Sequence, residues 1–248
     1  MKTLIVLSAM LFLITVGCKK DKENKPECRI TSMTSPTGED YVFTYNAEGK
    51  LVSTAMDGTS TINFTYNGNT VTSLYASGSY YNKTTYTINN NGQVSHSRTE
   101  YNTAGTNWAE RVYEYTGAQV IKETLTKNGG FTSIRTYQWS NGNLQTMSIN
   151  NSDNSWQTLT YEYYADKPYR TGDIQDWDRL MSGVEIFHSK NLLKKYTSTY
   201  QDNTTGTPIP VTEITNYSYE FDGDGKITSM TSSFGGNNQA YQYLYECK

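Results

Sequence analysis

The chain has 248 residues, a net charge of −3, 35% hydrophobic content and 18% charged residues. That length holds one large β domain or two small ones. No basic stripe runs along it, which argues against a nucleic-acid partner, and an ordinary Leu/Ile/Val core is thin.

Tyrosine makes up the deficit, with 22 Tyr against 7 Phe. Its apolar body and polar tip suit a sheet face that is only partly dry. Frequent aromatics and sustained period-2 alternation argue against disorder. The mixed charges are expected to form a solvated face.

In chain order, Lys2 supplies a positive n-region and Leu4 to Val16 a largely apolar run, too short for a membrane-spanning helix of about 20 residues. The run ends at Thr15-Val16-Gly17-Cys18, which resembles a bacterial lipobox, although Thr15 stands where Leu is usual. Cys18 is therefore the expected lipidation site, an ordinary secretory peptide being the alternative. Residues 19–27 hold no apolar group to pack, and nine residues reach at most about 30 Å as a flexible tether. With Cys18 lipidated, Cys28 and Cys247 remain in an oxidising compartment and are expected to form a disulfide. Their strand parity, shared with Ile30 and with Tyr241, Tyr243 and Tyr245, directs both thiols to the apolar face and makes the terminal strands neighbours.

From Cys28 onward, alternating runs break at Asn/Gly or Asp/Gly turns. Tyr41/Phe43/Tyr45 turns at Asn46–Gly49 into Leu51; Ile62/Phe64/Tyr66 turns at Asn67–Asn69; Tyr86/Ile88, Tyr113/Tyr115 and Tyr137/Trp139 repeat the pattern. The turn glycines Gly68, Gly92, Gly117 and Gly142 recur at nearly constant spacing, as tandem hairpins require. The sixth unit breaks this rhythm: Tyr161 to Tyr164 should turn at Ala165-Asp166, yet the return strand waits until Leu192. The intervening 165–190 gathers Ile174, Trp177, Leu180, Met181, Ile186 and Phe187, with a short helix expected over Asp173–Ser182. A further hairpin turns at Asp222–Gly225, and the last strand runs from Gln239 to Cys247.

The expected fold is all-β: a long antiparallel up-and-down meander of about sixteen strands, curled or closed into a barrel, with one short helical insertion. Sixteen closed strands leave a lumen that strand side chains alone do not fill. The insertion is the segment available to occupy it.

Phe43-Thr44-Tyr45-Asn46 leading to Gly49 and Leu51, and Phe221-Asp222-Gly223-Asp224-Gly225-Lys226-Ile227, resemble Rhs-type tyrosine/aspartate repeats. The mature chain, including Ser189-Lys190-Asn191-Leu192-Leu193, resembles a lipoprotein family catalogued as domain of unknown function 4595. The resemblance implies a porin-like fold and brings no catalytic residue with it.

Local chemistry is sparse. His96 and His188 stand apart. Asp173, Asp176 and Asp178 could offer calcium oxygens, but they lack the glycine and final glutamate of an EF-hand and read as a solvated helix face. Asp222–Gly225 reads as a repeat turn. Asn82-Lys83-Thr84 and Asn203-Thr204-Thr205 match glycosylation acceptors but read as loops.

The expected organisation is a signal peptide over 1–17, lipidated Cys18 with its tether over 18–27, and one β-meander domain over 28–248. The expected protein is a monomeric outer-membrane lipoprotein of a Gram-negative bacterium, periplasmic or surface-facing. It is held to the membrane through Cys18 and is a non-catalytic binding or structural module with no metal and no cofactor. Its ligand is a glycan or peptide, and Trp177, Phe187, Tyr163 and Tyr164 are candidate ligand or plug residues. The alternative is an envelope enzyme, such as a glycoside hydrolase, whose carboxylates come from distant strands.

Overall fold

The computed structural model describes residues 28–202 and 209–247. The expected signal peptide, lipidation site and tether, and the Asn203 motif, lie outside the described residues. The strands are β1 Cys28–Thr34, β2 Asp40–Tyr45, β3 Leu51–Met56, β4 Ser60–Asn67, β5 Thr70–Ser77, β6 Tyr80–Ile88, β7 Val94–Glu100 and β8 Trp108–Thr116. There follow β9 Gln119–Lys127, β10 Thr132–Ser140, β11 Asn143–Asn151, β12 Trp156–Pro168, helix α1 Asp176–Ser182, β13 Asn191–Asp202, β14 Ile209–Phe221, β15 Ile227–Phe234 and β16 Asn237–Cys247. Each strand pairs antiparallel with the next, and β1 pairs with β16, closing a 16-strand barrel. Cys28 and Cys247 are register partners and form a disulfide at the seam, 219 positions apart in sequence.

Two boundaries differ from expectation. β12 runs through Pro168, because a register irregularity after Glu162 carries the strand past Ala165-Asp166, so the insertion begins at Tyr169. The helix starts at Asp176 and not at Asp173, whose carboxylate accepts the Gln175 N–H at 2.9 Å and so forms a turn.

Alternate strand residues face the lumen. Phe43, Phe64, Tyr113, Tyr137, Tyr217 and Tyr243 are buried there, in two clusters centred on Leu180 and Val184 of the insertion. The outer face is polar. Arg98 and Glu110 pair across β7 and β8 at 2.6 Å, Lys122 and Glu114 across β8 and β9 at 2.7 Å, and Arg29 and Glu246 across the seam at 2.8 Å. Exposed aliphatics are diluted: Val112 and Ile134 both face Thr124, Val42 and Leu244 both face Ser32, and Ile214 faces Thr197. A membrane-spanning barrel has the opposite polarity, with an apolar band outside and a polar lumen.

The tyrosines also answer a backbone problem. Several strand pairs carry a bulge at the end where Cys28 lies, and a bulge leaves its ladder locally broken. A ring from the next hairpin reaches over four of them, whereas at the β10–β11 and β14–β15 bulges the equivalent Tyr163 and Tyr245 bond the plug. Tyr45 donates to the Ile30 carbonyl at 2.9 Å, Tyr66 to Leu51 at 2.8 Å, Tyr115 to Val94 at 2.9 Å, and the Trp139 indole N–H to Val120 at 2.7 Å. The β4–β5 pair has an unbroken register, and there the equivalent position is Ile88, which cannot donate. Tyrosine is therefore used where phenylalanine would leave a carbonyl unpaired.

Candidate functional site

Residues 169–190 enter the lumen from the end that carries the disulfide. Three sets of hydrogen bonds fix them. Asp176, buried, accepts from the Tyr169 hydroxyl at 2.6 Å, the Gly172 N–H at 2.6 Å and the Arg179 guanidinium at 2.9 Å. Asp173, also buried, accepts from the Leu193 N–H at 3.0 Å and the Tyr219 hydroxyl at 3.1 Å. Thr54 of β3 donates to the Leu180 carbonyl at 2.7 Å, and Leu144 N–H donates to the Ser189 hydroxyl at 3.1 Å. Helix α1 ends at Gly183, whose φ of 76° needs glycine and whose Cα lies against the Phe64 ring.

The reading of Asp173, Asp176 and Asp178 as one solvated face is corrected by these contacts. Packed inside the barrel, the helix and the turn before it bury Asp173 and Asp176 as anchors, while Asp178 stays exposed to the lumen. No group of three or more metal-ligating side chains converges among the described residues. Asp178 is different. It faces the lumen beyond the plug with no hydrogen-bond partner among the described residues. Burial pushes its carboxyl above the ordinary aspartate range, Arg135 opposes the shift and Glu123 adds to it.

Beside Asp178 lies a charge cluster that the expectation of a solvated charged face also missed. Glu123, 3% exposed, lies 3.2 Å from Arg111 and 3.4 Å from Arg135, and accepts the Tyr137 hydroxyl at 3.1 Å. Parity carried the signal, since Arg111 shares strand face with Tyr113, Glu123 with Leu125 and Arg135 with Tyr137. A carboxylate held between two guanidiniums is committed to structure.

The plug leaves space on both sides: clefts of about 530 and 370 Å³ lie beside Thr171 at the disulfide end, and two cavities lie on the far side. One cavity of about 190 Å³ is bounded by Ile174, Asp178 and Phe187 of the plug and by Tyr161, Tyr196 and Tyr217 of the wall. Another of about 310 Å³ runs from Met181 past Ser73, Thr84 and Tyr86 to Met56 and the exposed Tyr80 at the rim. Asp178 lines the first of these.

The residues singled out from sequence take distinct places. Trp177 is half-buried, edge-on to Tyr41 at 5.4 Å and to Tyr241 at 6.4 Å. Phe187 sits between Tyr137 and Trp139 at 5.6 and 5.8 Å. The Tyr163 hydroxyl accepts from Ser189, and Tyr164 donates to the Tyr217 carbonyl, so both rings are tied into the plug and wall. His96 pairs with Val112 on the outer face of β8, and His188 stacks on Tyr169 at the disulfide end. Asp222 caps its own turn, accepting from the Asp224 and Lys226 N–H groups.

The fold is similar to two solved structures. A porin-like protein from Bacteroides vulgatus superposes with a TM-score of 0.64 at 13% identity, covering 89% of this chain and 99% of that one. A porin-like protein from Bacteroides uniformis gives 0.62 at 14% identity, covering 88% and 98%. No family model matches the chain, and no curated protein matches it.

Proposed function

We propose that this chain is a lipid-anchored protein of the bacterial envelope whose barrel stands in water and takes a ligand into its lumen without turning it over. The observation that carries the reading is the space left inside the barrel beyond the plug, lined by aromatic rings and one carboxylate. The 169–190 plug enters from the end at which Cys28 begins the barrel, where clefts of about 530 and 370 Å³ lie beside Thr171, and the cavities beside Asp178 and Met181 lie beyond it. A chain held at Cys18 is tethered to that end, so the far mouth points away from the membrane.

The outer face supports a barrel that does not span the bilayer. Arg or Lys on a lipid-facing strand costs about 2–4 kcal/mol at the bilayer midplane, and here Arg98, Lys122 and Lys195 all face outward with carboxylate partners. The lumen is occupied, which argues against an open pore. A glycosidase needs two carboxyls free to act, and Glu123 is already bound by Arg111 and Arg135. The repeat motifs support grouping the chain with lipoproteins of domain of unknown function 4595. Glycans and peptides remain the ligand classes that suit an aromatic mouth with free hydroxyls.

Fractionation with fatty-acid labelling tests the anchor. Cys18→Ala should leave the protein unlabelled and released from membranes, and continued sedimentation with label incorporation would reject the anchor. A ligand screen of the released protein, read by Trp177 fluorescence and product analysis, tests the binding reading. Turnover of any bound ligand would reject its non-catalytic half.

A further inference from the structure

The lumen cavity holds an unusual combination. Its walls present Tyr161, Tyr196 and Tyr217, with Tyr161–Tyr196 and Tyr196–Tyr217 centroids 6.5 and 6.1 Å apart and the rings tilted by 44° and 33°. None of these three hydroxyls has a hydrogen-bond partner among the described residues. Phe187 adds a fourth ring from the plug, and Asp178 supplies one carboxylate without a partner to the same space. The neighbouring cations do not neutralise it by contact. Arg111 and Arg135 are both drawn to Glu123, so the three form their own cluster.

Tilted aromatic rings around one carboxylate recognise a weakly hydrated cation. The ring faces carry negative potential and offer nothing to an ammonium that must keep its water, whereas an alkylated ammonium brings no hydration shell to lose. Size agrees. The cavity of about 190 Å³ is somewhat larger than the roughly 150 Å³ space that accepts benzene and lies below the roughly 300 Å³ at which drug-sized sites begin. It fits the head of a ligand whose remainder extends toward the mouth. A carboxylate disfavoured by its surroundings also gains most when an opposite charge arrives.

We infer that the cavity between the 169–190 plug and the β12–β14 wall binds an organic cation through its quaternary or alkylated ammonium head, with Asp178 as counter-ion and Tyr161, Tyr196 and Tyr217 as the cage. This inference rests on the proposed reading of the lumen as a ligand site and names the chemistry it selects.

The test titrates the protein released by Cys18→Ala with choline chloride and, separately, with 3,3-dimethylbutan-1-ol, its uncharged isostere, following heat of binding and Trp177 fluorescence. Choline should bind at least tenfold more tightly than the alcohol. Asp178→Asn should remove at least tenfold of the choline affinity and leave the alcohol unchanged. Tyr196→Leu should weaken choline several-fold, and near-ultraviolet circular dichroism checks that each variant keeps its packing. Equal affinity for the two probes, or choline binding undisturbed in Asp178→Asn, would overturn the cation site while leaving the lumen as a binding site for neutral ligands. Binding of neither probe would overturn the cation site as well. The lumen reading would then fail only if the ligand screen also left Trp177 fluorescence unchanged.

Discussion

Replacing Tyr66 by phenylalanine isolates what the recurring tyrosines contribute. The ring stays, so apolar burial changes little; only the hydroxyl is lost, which donates to the Leu51 carbonyl at 2.8 Å. Leu51 is 7% exposed, so its carbonyl has poor access to replacement water. A typical intramolecular hydrogen bond contributes about 0.5–1.5 kcal/mol net, and an unpaired buried acceptor costs about 1–3 kcal/mol. The expected loss is therefore about 1–3 kcal/mol. For a domain of this size, that corresponds to a fall in melting temperature of roughly 2–4 °C per kcal/mol. Urea and thermal denaturation of Tyr66→Phe against the parent measure it, and Ile88→Val provides a control at the equivalent position with no bulge to cap. A Tyr66→Phe midpoint equal to the parent's would refute the role of the repeat tyrosines as caps on bulged carbonyls.

The remaining predictions concern the seam, the plug and its lone carboxylate. Replacing both Cys28 and Cys247 by serine should cost up to about 5 kcal/mol in the chain-entropy model for a loop of this length, read as a lower urea midpoint; an unchanged midpoint would mean that strand pairing alone closes the barrel. Gly183→Ala places a methyl group against the Phe64 ring at a φ of 76°, and the left-handed conformation alone costs about 1–2 kcal/mol, so a clear drop in melting temperature is expected. A stable Gly183→Ala protein would show that the plug is not held as described. Asp178 has its carboxyl raised by burial, so its charged form is disfavoured by folding, and the penalty is full above the folded pKa and relieved as pH falls through it. Asp178→Asn should therefore be more stable than the parent at neutral pH, with the advantage shrinking to nothing in acid; an advantage independent of pH would assign it to packing and not to charge.

Much of the barrel was legible because it is written in period 2. Alternation of Tyr, Phe, Ile and Val with Ser, Thr and Asn marks the strands, and the turn glycines mark their ends. The thiols at the two ends then close the circle. What the alternation could not convey is set by contacts between distant segments. The β12 extension to Pro168 depends on pairing with Asn191, which lies beyond the insertion. Asp173 and Asp176 look like any acidic helix face until Tyr169, Gly172, Leu193 and Tyr219 surround them. The cage is legible only in part: Tyr161, Tyr196 and Tyr217 share the inner face by parity, but which of them meet Asp178 depends on how the plug turns. The bulges that call for hydroxyls leave no mark in a single strand, because each arises from a mismatch between two.

The far face of the plug lies open to solvent through a mouth in the barrel, whereas Leu180 is packed into the core. Single cysteines introduced into the Cys18→Ala protein test this directly, through their rates of reaction with a small methanethiosulfonate reagent under native conditions. Met181→Cys, at the floor of the 310 Å³ cavity, should be modified rapidly, whereas Leu180→Cys, at a position only 2% exposed, should react only after urea unfolds the barrel. Equal protection of the two thiols in the folded protein would contradict an accessible lumen and leave the barrel a sealed structural module.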